Sequence, residues 1–321
     1  MKRELTPENI QELKDNQIFV FGSNMNGNHA GGAARLAVEK FGAIMGQAEG
    51  IQGQSYAIPT LDKDMQKVTE EELLVFLENF GNYANEHPEK EFLLTAIGTG
   101  IAGFDASYMA YMVLRANLPD NVTLPKEFVK IKGYKGFNPD MTCRDFQYEE
   151  GKDYEETGDI RACGNGFHFC LHPLDVFGYY PPARVGMNKF HEVEGTGDMD
   201  VDTDDTKIAC SKIHIGAGLS IKSIVGAAVK FTFEKCKWKK GKTATGNRGA
   251  ASATGKDSIA LAAGYECKAK GAIGCWIVLT ERGEWNGNTY PIKEVKAFEI
   301  DGEKVKADTW YMLVNGQLKE A

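Results

Sequence analysis

The sequence predicts two domains, an α/β domain over residues 1–124 and a β-rich α+β domain over 125–321. Three observations carry this. At 321 residues the chain is long for a single hydrophobic core. Up to about residue 115, continuous apolar runs alternate with helical patterns, as in a sheet covered on both faces. Beyond that come short β-like runs, many glycines and frequent aromatics. ANLPDNVTLPKE at 116–127, with two prolines and several turn formers, separates the two regimes.

The elements follow from local chemistry. Thr6 as cap and Pro7 at the first helical position predict a short helix over 6–15. QIFVFGSN (17–24) is a buried strand. GGAARLAVEKFG (31–42) is a helix burying Leu36, Val38 and Phe41 and ending at Gly42. QSYAIPT (54–60) is a short strand stopped by Pro59. Thr69 and Glu72 make a capping box for a helix over 70–85. EFLLTAIG (91–98) is a further buried strand and SYMAYMVLRAN (107–117) a further helix. In the second part, Gly246, Gly255 and Gly264 recur every nine residues. That period fits the stacked turns of a short β-solenoid, or else one irregular Gly/Ala-rich loop. The chain closes as an antiparallel meander with hairpin turns at Asp301-Gly302 and Asn315-Gly316.

Composition narrows the function. A net charge of −8 excludes general nucleic-acid binding, which needs a basic surface. The one basic run, KCKWKKGKT at 235–243, reads as the solvated end of a helix. No apolar run is long enough to span a bilayer, the first residues lack the apolar core of a signal peptide, and an odd seven cysteines form no C-x-x-C pair. A cytoplasmic protein with reduced thiols is the expectation.

Two glycine loops follow buried strands in the first part: GSNMNGNHAGGAARLA (22–37) and GTGIAGF (98–104). Loops at the carboxyl ends of strands are where open α/β sheets bind ligands. Glycine lets the backbone approach a ligand and present several N–H groups together. The N-terminus of the helix at 31–42 favours an anion. Two such loops suit a diphosphate, and the Asn24 amide suits a ribose hydroxyl or a carbonyl. Neither loop is a Walker A or a G-x-G-x-x-G sequence. Tight turns beside packed strands are the alternative.

These segments in this order, over about residues 17–115, resemble the macrodomain family of ADP-ribose-binding modules. The resemblance implies a three-layer α/β/α domain that binds ADP-ribose, a related nucleotide or an ADP-ribosylated macromolecule. It implies that Asn24 lies near the distal ribose, that Gly31 and Gly32 form the first diphosphate loop, that Gly98, Thr99, Gly100 and Ile101 form the second, and that Phe104 is the aromatic beside it. It implies no cofactor. The chain departs from the family pattern in three ways. Few residues precede the first strand. Asp15 is the nearest acid for adenine. Ala33 and Ala34 stand where hydrolytic members carry an Asp, so no catalytic residue is assigned and binding is favoured over hydrolysis. His29, on the first loop, reads as a surface residue.

CGNGFHFCLHPLDVFGYY (163–180) is the densest constellation in the second part. On a strand, His168, Cys170 and His172 would share one face. Zinc is conceivable there, but such alternation is unusual for zinc, and no metal is assigned. The stretch is also similar to the G-x-G segment of ADP-ribosyltransferases, with GYKGF (133–137) as the opening strand. The late catalytic Glu which that similarity requires has no clear counterpart: Thr309 stands in its place, with Glu281 and Glu299 as loose alternatives. Residues 133–320 as a whole resemble an uncharacterised domain of bacterial and phage proteins. DMDVDTDD (198–205) reads as a solvated acidic turn. The leading expectation is ADP-ribose recognition by the first domain. A transferase-like second domain or a scaffold is the alternative.

Overall fold

The computed structural model describes residues 4–181, 188–202, 205–235, 243–244, 247–254, 258–287 and 289–321. It is a mixed α/β, sheet-rich chain that divides into two compact units, Met1–Lys237 and Trp238–Ala321.

The first unit opens with strands β1 (Gln17–Asn24), β2 (Gly50–Gln52), β3 (Ser55–Leu61), β4 (Glu91–Leu94) and β5 (Val122–Thr123) in the order β2-β3-β1-β4-β5. β1 runs parallel to both β3 and β4, and β4 runs parallel to β5. Alternation along the strands divides the core. Phe19, Phe21, Ala57 and Leu93 pack with Ala34 and Ala37 of helix α1 (Gly32–Lys40). Val20, Ile58, Phe92 and Leu94 face the other way, grouped with Leu73, Leu77 and Phe80 of α2 (Glu70–Glu86) and Met109 and Met112 of α3 (Ala106–Arg115). Five elements, β1, α1, β3, α2 and α3, therefore lie within two residues of the expected bounds at both ends, whereas β4 stops four residues short of its expected end. The expected helix over 6–15 does not form. Leu5 instead bridges Leu124, and the Thr6 hydroxyl lies 2.7 Å from that of Thr123. A partner far along the chain outweighs the local start signal.

The second sheet is built from β6 (Lys130–Phe137), β9 (Asp153–Glu155), β10 (Phe167–Cys170), β11 (Lys189–Val201) and β12 (Lys207–Leu219), in the order β10-β6-β11-β12-β9. β7 (Thr142–Cys143) and β8 (Phe146–Gln147) form a small ribbon beside it, and α4 (Val176–Tyr179) and α5 (Ile221–Lys235) complete the unit. β10 pairs with β12 and also meets β6 at Cys170–Tyr134, which curls the sheet back on itself. The curl encloses Phe169. A Cβ on Gly133 or Gly195 would stand 2.5 or 2.4 Å from its ring, so both positions require glycine for close approach. The expected boundary at 116–127 marks the change from one sheet to the other but lies inside the first compact unit, and one continuous core spans both sheets. The acidic stretch at 198–205 connects β11 to β12. Two of its acids are engaged: Asp200 accepts from Ala162 N–H at 2.7 Å, and Asp202 pairs with Lys207.

The second unit contains β13 (Thr243–Ala244), β14 (Ala250–Ala253), β15 (Ile259–Ala262), β16 (Lys268–Gly271), β17 (Trp276–Arg282), β18 (Ile292–Glu299), β19 (Tyr311–Val314) and β20 (Gln317–Glu320). Alternate strands pair in parallel, β13 with β15 and β15 with β17 in one sheet, β14 with β16 in the other. Ala250 lies opposite Lys268, an offset of 18 residues. The nine-residue spacing of the sequence is thus half a rung of stacked turns, and Ala251, Ala253, Ala260, Ala262 and Ala269 fill the narrow core between the sheets. Gly246, Gly255 and most of the basic run at 235–243 lie outside the described residues. Asn315 and Gly316, both at positive φ, form the two-residue hairpin between β19 and β20. Asp301-Gly302 does not join paired strands. Asp301 Oδ1 instead accepts from the N–H groups of Glu303, Lys304 and Val305.

Candidate functional site

β1 and β4 are neighbours in the sheet, and their onward connections diverge. The chain leaves β1 through α1 towards β3 and leaves β4 through α3 towards β5, on opposite faces. The crevice beyond their carboxyl ends is therefore a topological switch point, the usual ligand position in such sheets. The two glycine loops meet there. A Cβ on Gly22 would lie 3.4 Å from Gly98 N, and one on Gly31 3.6 Å from Ile101 Cδ1.

The expected residues divide between crevice and scaffold. Gly31 is the N-cap of α1, with no capping side chain and no acid in the first turn, so the orphan N–H groups of Gly32 and its neighbours are not neutralised. The N–H groups of Gly100 and Ile101 have no partner among the described residues, and Ile101 is 81% exposed. Gly98 sits at φ 75°, with Met109 and Phe104 where a side chain would go. The Thr99 hydroxyl donates to Ala96 O at 2.8 Å, which tightens the turn. Phe104 packs under Gly98 and stacks on Tyr108, with Lys67 Nζ 4.9 Å above its ring. Asn24 is buried and its amide organises its own loop: Nδ2 donates to Asn28 O at 2.7 Å, and Oδ1 accepts from the N–H groups of Asn26 and Asn28. His29 is not on the surface. It is 1% exposed, edge-on to Phe21, with Nε2 3.0 Å from Gln47 O. Asp15 precedes β1, roughly 25 Å of strand from the crevice. The acids that sequence reasoning missed are Glu8 and Glu127. They line a cavity of about 380 Å³ that Ala33, Leu36, Thr95 and Ala96 also border.

A second cavity, about 670 Å³, lies against β6, β10 and the β7–β8 ribbon, lined among others by Lys135, Cys143, His168 and Tyr180. It brings GYKGF and GNGFHF together. Burial pushes Lys135 below the usual lysine range; its Nζ donates to His168 O at 2.7 Å and lies 3.6 Å from Cys143 Sγ. His168 Nε2 is buried without a hydrogen-bond partner among the described residues, and burial, then the neighbouring Lys135, push this imidazole below its usual range. Cys170 lines the same cavity and is pushed up to about 12 by burial. His172 does not join them: its Nδ1 lies 3.3 Å from both Leu174 N and Asp175 Oδ1. No group of three or more His, Cys, Asp or Glu is placed to hold a metal among the described residues. The cavity's carboxylates are Asp145 and Glu156. Glu281 is taken within the second unit by Gly316 N–H at 2.7 Å.

No helix among the described residues is long and apolar enough to cross a membrane. No curated protein and no solved structure matches the chain. Residues 131–227 match the model of a domain of unknown function, DUF7666, a match that covers the second sheet and the first half of α5 and stops short of the second unit.

Proposed function

We propose that the crevice between the loops after β1 and β4 binds ADP-ribose or a related nucleotide diphosphate, free or carried on a macromolecule. One observation carries this reading: two glycine loops meet at a topological switch point beside an uncapped helix N-terminus. The diphosphate would accept from the N–H groups of Gly100 and Ile101 and sit at the positive end of α1. Ile101 would cover it and Phe104 would flank its ribose. The cavity bordered by Glu8 and Glu127 would take the base. Helices on both faces of the sheet suit the macrodomain-like, three-layer arrangement that the sequence resembles. The loops bring no carboxylate to the diphosphate, so the function is recognition.

Gly100 offers a clean test. Its φ lies outside the left-handed region and a Cβ there meets nothing within 4 Å, so Gly100→Glu adds charge without strain. Calorimetric titration of the whole chain should give micromolar binding of ADP-ribose, with AMP and NAD weaker. Gly100→Glu should weaken it by about tenfold or more, roughly 1.4 kcal/mol, at an unchanged melting temperature. Equal affinity in the variant would remove the site from this crevice.

A further inference from the structure

We propose that Lys135 is the nucleophile of a second site, a buried amine that forms an imine with a small carbonyl compound entering the cavity between β6, β10 and the β7–β8 ribbon. Four features of the cavity support this, independently of the nucleotide crevice.

The first is the amine's surroundings. Lys135 is buried on β6, between β10 and β11, yet no carboxylate pairs with it among the described residues. It meets a backbone carbonyl, a thiol and the rings of Phe137 and Tyr148 at 5.5 and 5.2 Å. Its titratable neighbours include the thiols of Cys143, Cys170 and Cys210 and the His168 imidazole; burial pushes the Cys170 and Cys210 thiols up and the imidazole down, towards their neutral forms. Burial without a counter-ion favours the neutral amine, which is the nucleophilic form. The second is contrast within the cavity. Lys207 lines the same space, but Asp202 lies 2.5 Å from its Nζ, and hydrogen bonds outweigh the effect of burial and raise it above the usual lysine range. Of these two lysines one is built as a cation and the other is not. The third is His168, whose Nε2 has no partner among the described residues although it lines the cavity, the kind of atom that a bound oxygen would satisfy. The fourth is backbone conformation. Arg144 and Cys163, both lining residues, sit at φ 53° and 61°, conformations that non-glycine residues adopt rarely and that cluster at functional sites.

The step balances without a redox partner. The Lys135 nitrogen lone pair attacks the carbonyl carbon. The carbinolamine then loses its oxygen together with the two amine protons as water, leaving a C=N bond to Nζ. His168, next to the amine through its own carbonyl, and the Cys143 thiol are the groups placed to pass those protons. An aldehyde with an aromatic or short aliphatic body suits walls that include Phe146, Tyr148 and Tyr180.

The test is reductive trapping on the full chain at pH 7. The protein is incubated with benzaldehyde or glyoxylate and cyanoborohydride, then mapped by peptide mass spectrometry. Lys135 should carry the adduct at least tenfold faster than any other lysine. Lys135→Arg, which keeps the stem, should lose that fast phase and leave the slow surface labelling unchanged. The wild-type map decides the matter even if the variant does not fold. Lys135 unlabelled while other lysines react, or labelled no faster than they are, would overturn the proposal. ADP-ribose affinity is a separate readout and is expected to be the same in labelled protein.

Discussion

Asp175 shows how one side chain can hold two elements together. It precedes α4 and reaches back to the start of β12, where its Oδ2 accepts from the Thr206 hydroxyl at 2.6 Å and from Thr206 N–H at 3.1 Å, while Oδ1 lies 3.3 Å from His172. Burial works to raise this carboxyl. The hydrogen bonds from His172 and Thr206 outweigh it, and the group titrates below the usual carboxylate range. The sign follows. A folded-state value below the unfolded one contributes stability that is fully present above the unfolded value, near 4, and is lost as pH falls through the folded value. Asp175→Asn should therefore lower the melting temperature at pH 7. The gap from wild type should narrow steadily below about pH 4, where the wild-type carboxyl is protonated as well. A gap that stays constant down to pH 3 would mean that the side chain acts through its shape and not its charge.

At the scale of elements, the three helices around the first sheet are capped differently. α2 carries the capping box read from its sequence: Glu72 N–H donates to Thr69 Oγ1 at 3.2 Å and Thr69 N–H to Glu72 Oε2 at 2.7 Å. α3 is capped by Asp105, which accepts from Tyr108 N–H at 3.1 Å. α1 has neither cap nor acid. Gly31 is extended, and a side chain there would meet Ile101 only at ordinary contact distance. Gly31→Asp should therefore stabilise the protein by about 0.5–1 kcal/mol, through the cap and the helix dipole. It should also abolish the proposed diphosphate binding by placing a carboxylate at the anion position. Thermal melts and titration calorimetry on one preparation would show the two effects moving in opposite directions. If the variant is stabilised and binds ADP-ribose as well as wild type, α1 is uncapped for another reason. Legibility varied in the same way. Strands and helices with strong apolar patterns and local caps could be read from the sequence. The segment 6–15 could not, because its partners Thr123 and Leu124 are remote. Nor could the length of β11 and β12, because Gly195, Gly197, Gly216 and Gly218 interrupt their strand pattern, and at Gly195 the reason is the Phe169 ring from another strand. The glycine loops at the crevice were legible as motifs. The internal use of the Asn24 amide was not, since it depends on the fold of the loop. The second cavity draws Lys135 and His168 from two strands, and no local spacing links them.

For the molecule as a whole, the question is what folds as a unit. The two sheets of Met1–Lys237 are not joined by a mere linker. α3 packs on β6 and β11, the Ser107 hydroxyl accepts from Lys132 N–H at 3.0 Å, and the core that holds Val20, Leu94 and Met109 continues into Phe137, Val193 and Ile213. Cutting the chain at 124 would expose the α3 side of that core. Each large apolar side chain returned to water costs about 1.5–3 kcal/mol, so uncovering four of them costs about 6–12 kcal/mol, as much as the net stability of a typical domain. Residues 1–124 alone should therefore aggregate or unfold without a cooperative transition, whereas residues 1–237 should melt cooperatively. Circular dichroism melts and gel filtration of the two fragments would check this. A cooperative, monomeric 1–124 with the melting temperature of 1–237 would mean that the first sheet carries its own core and that the second sheet only adjoins it. In that case the nucleotide crevice and the lysine cavity would belong to separable modules, and each could be assayed without the other. If 1–124 fails to fold, a lack of ADP-ribose binding by that fragment says nothing about the crevice, and the glycine loops can be judged only in a chain that keeps the second sheet in place.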